Sequence, residues 1–164
     1  MNKNREVPFK FTAFLFFLAI SLSGIAQERA LGLRLGWGGG LSYVQSITDD
    51  QDFEIILTPR WSGLILTGLY ERKVPLSSES WHWYYGGGLH GGYHHRSNFV
   101  GEGFNGDQQY INLGFDLIAG IKYRFEAFPL EFSADYKPSV ELLAKRNLLL
   151  EEFALSFRYL IFQD

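Results

Sequence analysis

A two-residue alternation of apolar and polar side chains constrains the fold of this chain more than any other feature. In the clearest run, residues 110–125, one face carries Ile111, Leu113, Phe115, Leu117, Ala119, Ile121, Tyr123 and Phe125. The other face carries Tyr110, Asn112, Gly114, Asp116, Ile118, Gly120, Lys122 and Arg124. The same division recurs in residues 30–37, 130–137 and 153–162. Because successive side chains of a β-strand point to opposite faces, the pattern indicates strands.

Turn-forming residues delimit four further strands. The predicted strands are 41–47, 53–58, 64–72 and 81–93, separated by polar or glycine- and proline-containing turns. A last connection is predicted at about residues 138–147. No stretch after residue 26 has the roughly 18 consecutive apolar residues of a transmembrane helix. The sequence therefore predicts an all-β fold, an eight-stranded antiparallel up-and-down barrel, in a chain of 164 residues.

The first residues are predicted to be a secretory signal peptide. Lys3, Arg5 and Lys10 form a basic segment, residues 11–20 are apolar, and Gly24 and Ala26 are the small residues of a cleavage site. We therefore expect residues 1–26 to be a cleaved signal peptide and residues 27–164 to be the barrel domain. The alternative is an uncleaved membrane anchor over residues 11–25.

The polar faces distinguish two kinds of eight-stranded barrel. A soluble lipocalin-like barrel has an apolar interior for a ligand, whereas a membrane barrel has an apolar outer face and a polar lumen. The polar faces here combine small glycines with nearly balanced charges, which suits a narrow lumen filled by ion pairs. The predicted lumen network consists of Arg34, Glu54, Arg60, Glu71, Asp116, Lys122, Arg124, Glu131, Asp135, Lys137 and Arg158. The apolar faces are almost free of charge, so we predict a transmembrane barrel with these faces toward lipid.

The aromatic residues support this orientation. With both chain termini in the periplasm, the predicted outer rim carries Trp37, Trp61 and Tyr136. The predicted inner rim carries Tyr70, Trp81, Trp83, Tyr123, Phe125 and Tyr159. Two belts of aromatic side chains at the bilayer interfaces are typical of membrane proteins. The longest loop, residues 94–108, then lies outside the cell.

Several stretches resemble a known class of proteins. They are GLRLGWGGGLSY (32–43), LTGLYE (66–71), WYYGGGLH (83–90), IAGIKYRF (118–125), PLEFSADYKPS (129–139) and FRYLIF (157–162). Together they resemble the small eight-stranded outer-membrane β-barrel proteins of Gram-negative bacteria, especially poorly characterised ones of Bacteroidota. The resemblance implies a place in the cell outer membrane and insertion by the outer-membrane assembly machinery. The tail after Phe162, Gln163–Asp164, departs from the usual aromatic ending.

Composition and spacing argue against most other chemistry. There is no Cys, and the net charge is −3, which disfavours thiolate sites and nucleic-acid binding. His82, Tyr84 and His90 share the inward face of one strand. His90 and His94 have a spacing that could hold a metal on a helix, but strand residues four apart are separated by ~13 Å, so no metal site is predicted. No cofactor is predicted either.

The leading functional hypothesis is a non-enzymatic, monomeric barrel with a structural or adhesive role, in contact with outer-membrane lipid and lipopolysaccharide. The predicted binding surface in the long loop comprises His94, His95, Arg96, Phe99 and Phe104. One alternative is a lipid A-modifying enzyme, with His95 and Ser97 as base and nucleophile and Glu102 as the orienting acid. The other alternative is the soluble lipocalin-like binder.

Overall fold

The chain folds into β-strands joined by turns. The computed structural model describes residues 28–36, 39–60, 63–76, 78, 80–96, 108–142, 148–149 and 152–161. The strands are β1 (Arg29–Gly36), β2 (Gly40–Thr48), β3 (Gln51–Arg60), β4 (Gly63–Pro75), β5 (Trp81–Arg96), β6 (Gln108–Arg124), β7 (Leu130–Tyr136), β8 (Ser139–Glu141), β9 (Leu148–Leu149) and β10 (Phe153–Ile161). The predicted signal peptide lies outside the described residues. The described part of the chain contains no helix that is long and apolar enough to cross a membrane.

These strands close into an eight-stranded antiparallel barrel with up-and-down order. Each strand from β1 to β6 pairs with the next along the chain, and β6 pairs with both β7 and β8. β10 pairs with β7 on one side and with β1 on the other, which completes the ring. β7 and β8 are consecutive parts of one barrel strand, and β9 and β10 lie along the last one. The predicted all-β fold, strand number and topology are confirmed.

The seventh barrel strand is longer than predicted. Tyr136 pairs with Ala119 and Ser139 pairs with Asp116, so the register against β6 is the same in β7 and in β8. Between them the Leu117 N–H donates to the carbonyl oxygen of Pro138 at 2.9 Å. The strand therefore continues through the proline, and the connection predicted at about residues 138–147 begins only after Glu141. As a result, Tyr136 lies in the middle of this strand and not at the outer rim where it was predicted.

The strands are strongly staggered. Phe157 pairs directly with Phe132 of the seventh barrel strand, whereas pairing followed the other way around the barrel reaches the same strand at Leu142, ten residues further along. The path runs through Phe157, Leu33, Leu41, Leu57, Leu66, Gly91, Leu113 and Leu142. Stagger of this kind means that the strands tilt relative to the barrel axis, as closure of a small barrel requires.

The two faces of the wall have opposite chemistry. Along β10 the outward residues are large and exposed, whereas the inward residues are buried. The outward set is Phe153, Leu155, Phe157, Tyr159 and Ile161, and the inward set is Ala154, Ser156, Arg158 and Leu160. The other strands follow the same rule, so the apolar face predicted from the sequence is the outside of the barrel.

The two ends of the barrel also differ. β1 begins and β10 ends at one end, called here the termini end, where the turns at residues 49–50, 76–80 and 125–129 are short. The other end, called here the loop end, receives the connections between β1 and β2, β3 and β4, β5 and β6, and β8 and β9.

Candidate functional site

Most of the charged residues in the described strands lie in the barrel interior. Nine members of the predicted lumen network have buried side chains: Arg34, Glu54, Glu71, Asp116, Lys122, Glu131, Asp135, Lys137 and Arg158. Arg124 is partly exposed, with 24% of its side-chain surface accessible. The side chain of Arg60 lies outside the description, although its backbone ends β3. Buried charges are costly unless they are paired and hydrogen-bonded, so their partners decide what this interior can do.

Arg158 is the centre of one set of contacts. Its guanidinium donates to Glu54 at 2.7 Å and to Glu131 at 3.1 Å. It also donates to the hydroxyl oxygens of Ser42 at 2.7 Å and Ser133 at 2.9 Å. These partners come from β2, β3 and β7, so one side chain of β10 joins four strands. The planar fork of Arg suits such a junction because its donors point in fixed directions.

Lys122 forms a second junction, toward the termini end. Its ammonium lies 3.0 Å from Asp52 and 3.5 Å from Glu71, and 4.4 Å from the centre of the Tyr84 ring. Lys73 contacts the other oxygen of Asp52 at 2.7 Å. Strands β3, β4, β5 and β6 are thereby held together by charge–charge and cation–π contacts.

The loop-end half of the interior has its own ion pairs. Arg34 binds Asp135 through two hydrogen bonds of 2.5 and 2.7 Å, a bidentate arrangement, and the Tyr84 hydroxyl donates to the same carboxylate at 3.1 Å. Lys137 contacts Asp116 at 2.7 Å and Glu152 at 3.1 Å.

His90 connects this half to β8. Its Nδ1 lies 2.6 Å from Asp116 Oδ2, and its Nε2 lies 3.3 Å from Glu141 Oε1. Gly114 leaves room for the imidazole, because a Cβ at that position would lie only 2.5 Å from a ring carbon. Within the described ranges, no group of three or more His, Cys, Asp or Glu side chains is arranged to hold a metal ion.

Apolar side chains fill the space between these ion pairs. One buried cluster contains Ile56, Leu69, Tyr84 and Ile118, and another contains Ala30, Val44 and Leu160. A groove of about 380 Å³ lies on the outer wall of the barrel and not in its interior. It is lined mainly by outward residues of β1, β6, β7 and β10. The small side chains of Ala119 and Ala134 form part of its lining.

Three buried charged residues of the interior were missed by the sequence analysis. Asp52 and Lys73 lie one residue outside the predicted strands, and Glu141 lies in the predicted last connection. Each continues the two-residue alternation of its strand: Asp52 precedes Glu54, Lys73 follows Glu71, and Glu141 follows Ser139. Extending the alternation to the ends of the strands was the signal that could have found them.

The predicted loop surface is only partly within the description. His94, His95 and Arg96 are the last residues of β5 and pair with β6, so their backbone is strand and not the loop that was predicted. The side chains of these three residues, and all of Phe99 and Phe104, lie outside the described parts. The same holds for Ser97 and Glu102 of the proposed enzyme alternative.

Comparison with known proteins identifies the fold. No protein-family model and no curated protein matches the chain. The N-terminal β-barrel domain of Pseudomonas aeruginosa OprF is similar, with a TM-score of 0.59, 14% identity, and coverage of 82% of this chain and 96% of that one. Neisserial surface protein A (NspA) has a TM-score of 0.52 and 13% identity, covering 84% and 94%. The Yersinia pestis outer membrane protein Ail, in a phospholipid bilayer nanodisc, has a TM-score of 0.50 and 12% identity, covering 84% and 100%. At these identities the likeness is one of fold.

Proposed function

We propose that this chain is an integral outer-membrane β-barrel protein that acts without catalysis, in a structural or surface-interaction role carried by its loop end. The observation that carries the proposal is the polarity of the wall: large apolar side chains outside and paired charges inside. A soluble ligand-binding barrel has the opposite arrangement.

The outer wall is suited to lipid contact. Ile111, Leu117 and Phe153 are 72%, 65% and 69% exposed, far more than large apolar residues of a soluble protein would be. Among the described side chains, charged residues of the outward face lie at the termini end, where Arg72 contacts Asp50 at 3.4 Å. Closure of the barrel pairs the backbone groups that hydrocarbon could not solvate.

Aromatic rings at the termini end support one membrane interface there. The rings of Trp81 and Tyr123 are 4.8 Å apart, and those of Tyr123 and Phe125 are 4.9 Å apart. Trp and Tyr rings favour the headgroup region, where an apolar body and a polar tip are both accommodated. Trp37 and Trp61, predicted for the other interface, lie outside the described residues. The similarity to Ail, an outer membrane protein, agrees with this placement.

We propose that the interior has no catalytic role because its charged side chains are already paired with one another. Arg34, Lys122 and Arg158 each contact at least one carboxylate, so they contribute to the stability of the wall. Recognition is then left to the loop end, where β5 and β6 lead into residues 97–107. We expect outer-membrane lipid and lipopolysaccharide around the wall, the assembly machinery during insertion, and a monomeric protein.

The test combines membrane fractionation with a heat-modifiability gel and a matched pair of variants. We expect the protein in the outer-membrane fraction, with a folded form that migrates differently from the boiled form because closed barrels resist detergent. Leu117→Arg, near the middle of β6, should reduce the folded fraction by an amount corresponding to ~2–4 kcal/mol. Phe128→Arg, in an equally exposed turn at the termini end, should cost only ~0–1 kcal/mol.

A soluble protein without a gel shift, for which Leu117→Arg is as harmless as Phe128→Arg, would overturn the membrane placement. If the membrane placement holds, the non-enzymatic role is tested by His95→Ala and Ser97→Ala. Lipid A extracted from cells carrying either variant should be the same as in cells carrying the unaltered protein, and a difference would favour the enzyme alternative.

A further inference from the structure

We propose that His90, when its ring is protonated, holds the short strand β8 against β5 and β6 inside the barrel. The ring belongs to β5, and its two nitrogens face carboxylates of two other strands. Nδ1 is 2.6 Å from Asp116 of β6, and Nε2 is 3.3 Å from Glu141 of β8. All three side chains are at least nine-tenths buried.

The ring can serve both carboxylates only when it is protonated. A neutral imidazole has one N–H group and one lone pair, whereas the imidazolium has an N–H group on each nitrogen. With a neutral ring, either Asp116 or Glu141 faces a lone pair across 3.3 Å or less. The position of the ring between two acids is therefore the position of a cation.

The surrounding charges determine which contact is lost on deprotonation. Lys137 stays 2.7 Å from Asp116 and also contacts Glu152, which lies 3.9 Å from Arg34. Asp116 thus keeps a cation when His90 is neutral. For Glu141, His90 is the cation in contact among the described side chains. The contact is electrostatic, since His90 Nε2 and Glu141 Oε2 are both buried without a hydrogen-bond partner. Thr67, which faces His90 from β4, adds no charge.

Loss of that contact weakens the end of β8. β8 has three residues, and just beyond it the Leu142 N–H donates to the Leu113 carbonyl oxygen at 2.8 Å. A buried carboxylate without its cation is costly, and water can reach it only if this end of the strand opens. β8 leads into residues 143–147 at the loop end. Protonation of His90 therefore determines whether the chain stays paired with β6 where this connection begins. The inference depends on the closed barrel and not on its location in a membrane.

The experiment is NMR of the purified folded protein, with the ring nitrogens of histidine labelled. The His90 signals are identified by their loss in His90→Gln. We expect an N–H group on both ring nitrogens at about pH 5, and loss of one as the ring deprotonates with rising pH. Over the same step, the hydrogen-exchange protection of the Leu142 amide should fall ~10-fold, because the ion pair at this end of β8 is lost.

Two variants distinguish the effect of His90 protonation on β8 from general effects of pH. In Glu141→Gln the pH-dependent step in Leu142 protection should disappear, since no buried charge is left to be compensated. His82→Gln, which alters the inward histidine at the other end of β5, should keep the step. A His90 ring with a single N–H at every pH, or a ring that titrates while Leu142 protection stays constant, would overturn the proposal. If His90→Gln fails to fold, the pH dependence of Leu142 protection in the unaltered protein, and its loss in Glu141→Gln, still decide the proposal.

Discussion

At the scale of single residues, the interior shows how a charge can be essential to a fold without adding much to its net stability. Arg158 compensates Glu54 and Glu131 together, and both carboxylates are buried. Removing one partner of such a pair leaves a charge that is neither solvated nor paired. The same Arg–carboxylate contact on the surface is solvated before and after, so its loss changes little.

This contrast predicts different effects for two arginines. Arg158→Ala should lower the free energy of unfolding by ~3–5 kcal/mol, because Glu54 loses the cation in contact with it and Glu131 keeps only the partly exposed Arg124. Arg72→Ala, which removes an exposed pair with Asp50, should cost ~0–1 kcal/mol. Urea unfolding in lipid vesicles, followed by Trp fluorescence, measures both values. Equal and small effects would show that the interior pairs are solvated like surface ones.

At the scale of the elements, the sequence predicted most of the barrel because its signal is local. Alternation marks four strands and their faces, and turn-forming residues delimit the other four, so the strand number follows from local signals. The errors lie at strand ends, where the predicted strands stopped one residue short of Asp52 and Lys73 and β8 was assigned to a connection. Pro138 produced the last error, since a proline cannot donate in a ladder and often ends a strand. Here its carbonyl accepts from Leu117, and the strand continues.

The specific ion pairs could not be predicted in the same way. Which acid meets which base depends on the stagger between strands that are far apart in sequence, as with Arg34 and Asp135 or Lys122 and Asp52. Alternation places these residues inside the barrel but does not determine their positions along the barrel axis. His90 illustrates the limit: its inward face was predicted, but its contacts with Asp116 and Glu141 required the register.

Gly88 of β5 lies so close to the backbone of β4 that a side chain has no room there. A Cβ on Gly88 would collide with the backbone oxygen of Gly68 and lie 2.9 Å from Leu69 Cα. Gly91, on the same strand, has nothing nearer than 3.9 Å. We expect Gly88→Ala to destabilise the barrel by ~1–3 kcal/mol through overpacking, and Gly91→Ala to be neutral or stabilising by up to ~1 kcal/mol.

The heat-modifiability gel can rank these two glycine variants by the temperature at which each folded band disappears. The Gly88→Ala band should be lost at a lower temperature than that of the unaltered protein, and the Gly91→Ala band should not. A Gly88→Ala barrel as heat-resistant as Gly91→Ala would mean that β4 and β5 can move apart at no cost.

At the scale of the whole molecule, strand number, stagger and interior chemistry agree with one another. Eight tilted strands enclose a space that side chains can fill, and the inward residues fill it with ion pairs and two apolar clusters. Larger barrels with 16 or more strands leave a water-filled channel. The interior of this barrel therefore joins the strands together.

A filled interior predicts that the protein does not conduct ions steadily. Reconstituted in a planar bilayer, it should show no sustained current at either polarity, because Arg158, Lys122 and their carboxylate partners block the lumen on successive levels. Replacing both cations by alanine should raise the frequency of brief openings, since the acids that remain repel each other and admit water. Sustained conductance by the unaltered protein would contradict this prediction and would mean that the ion pairs line a path through the barrel instead of closing it.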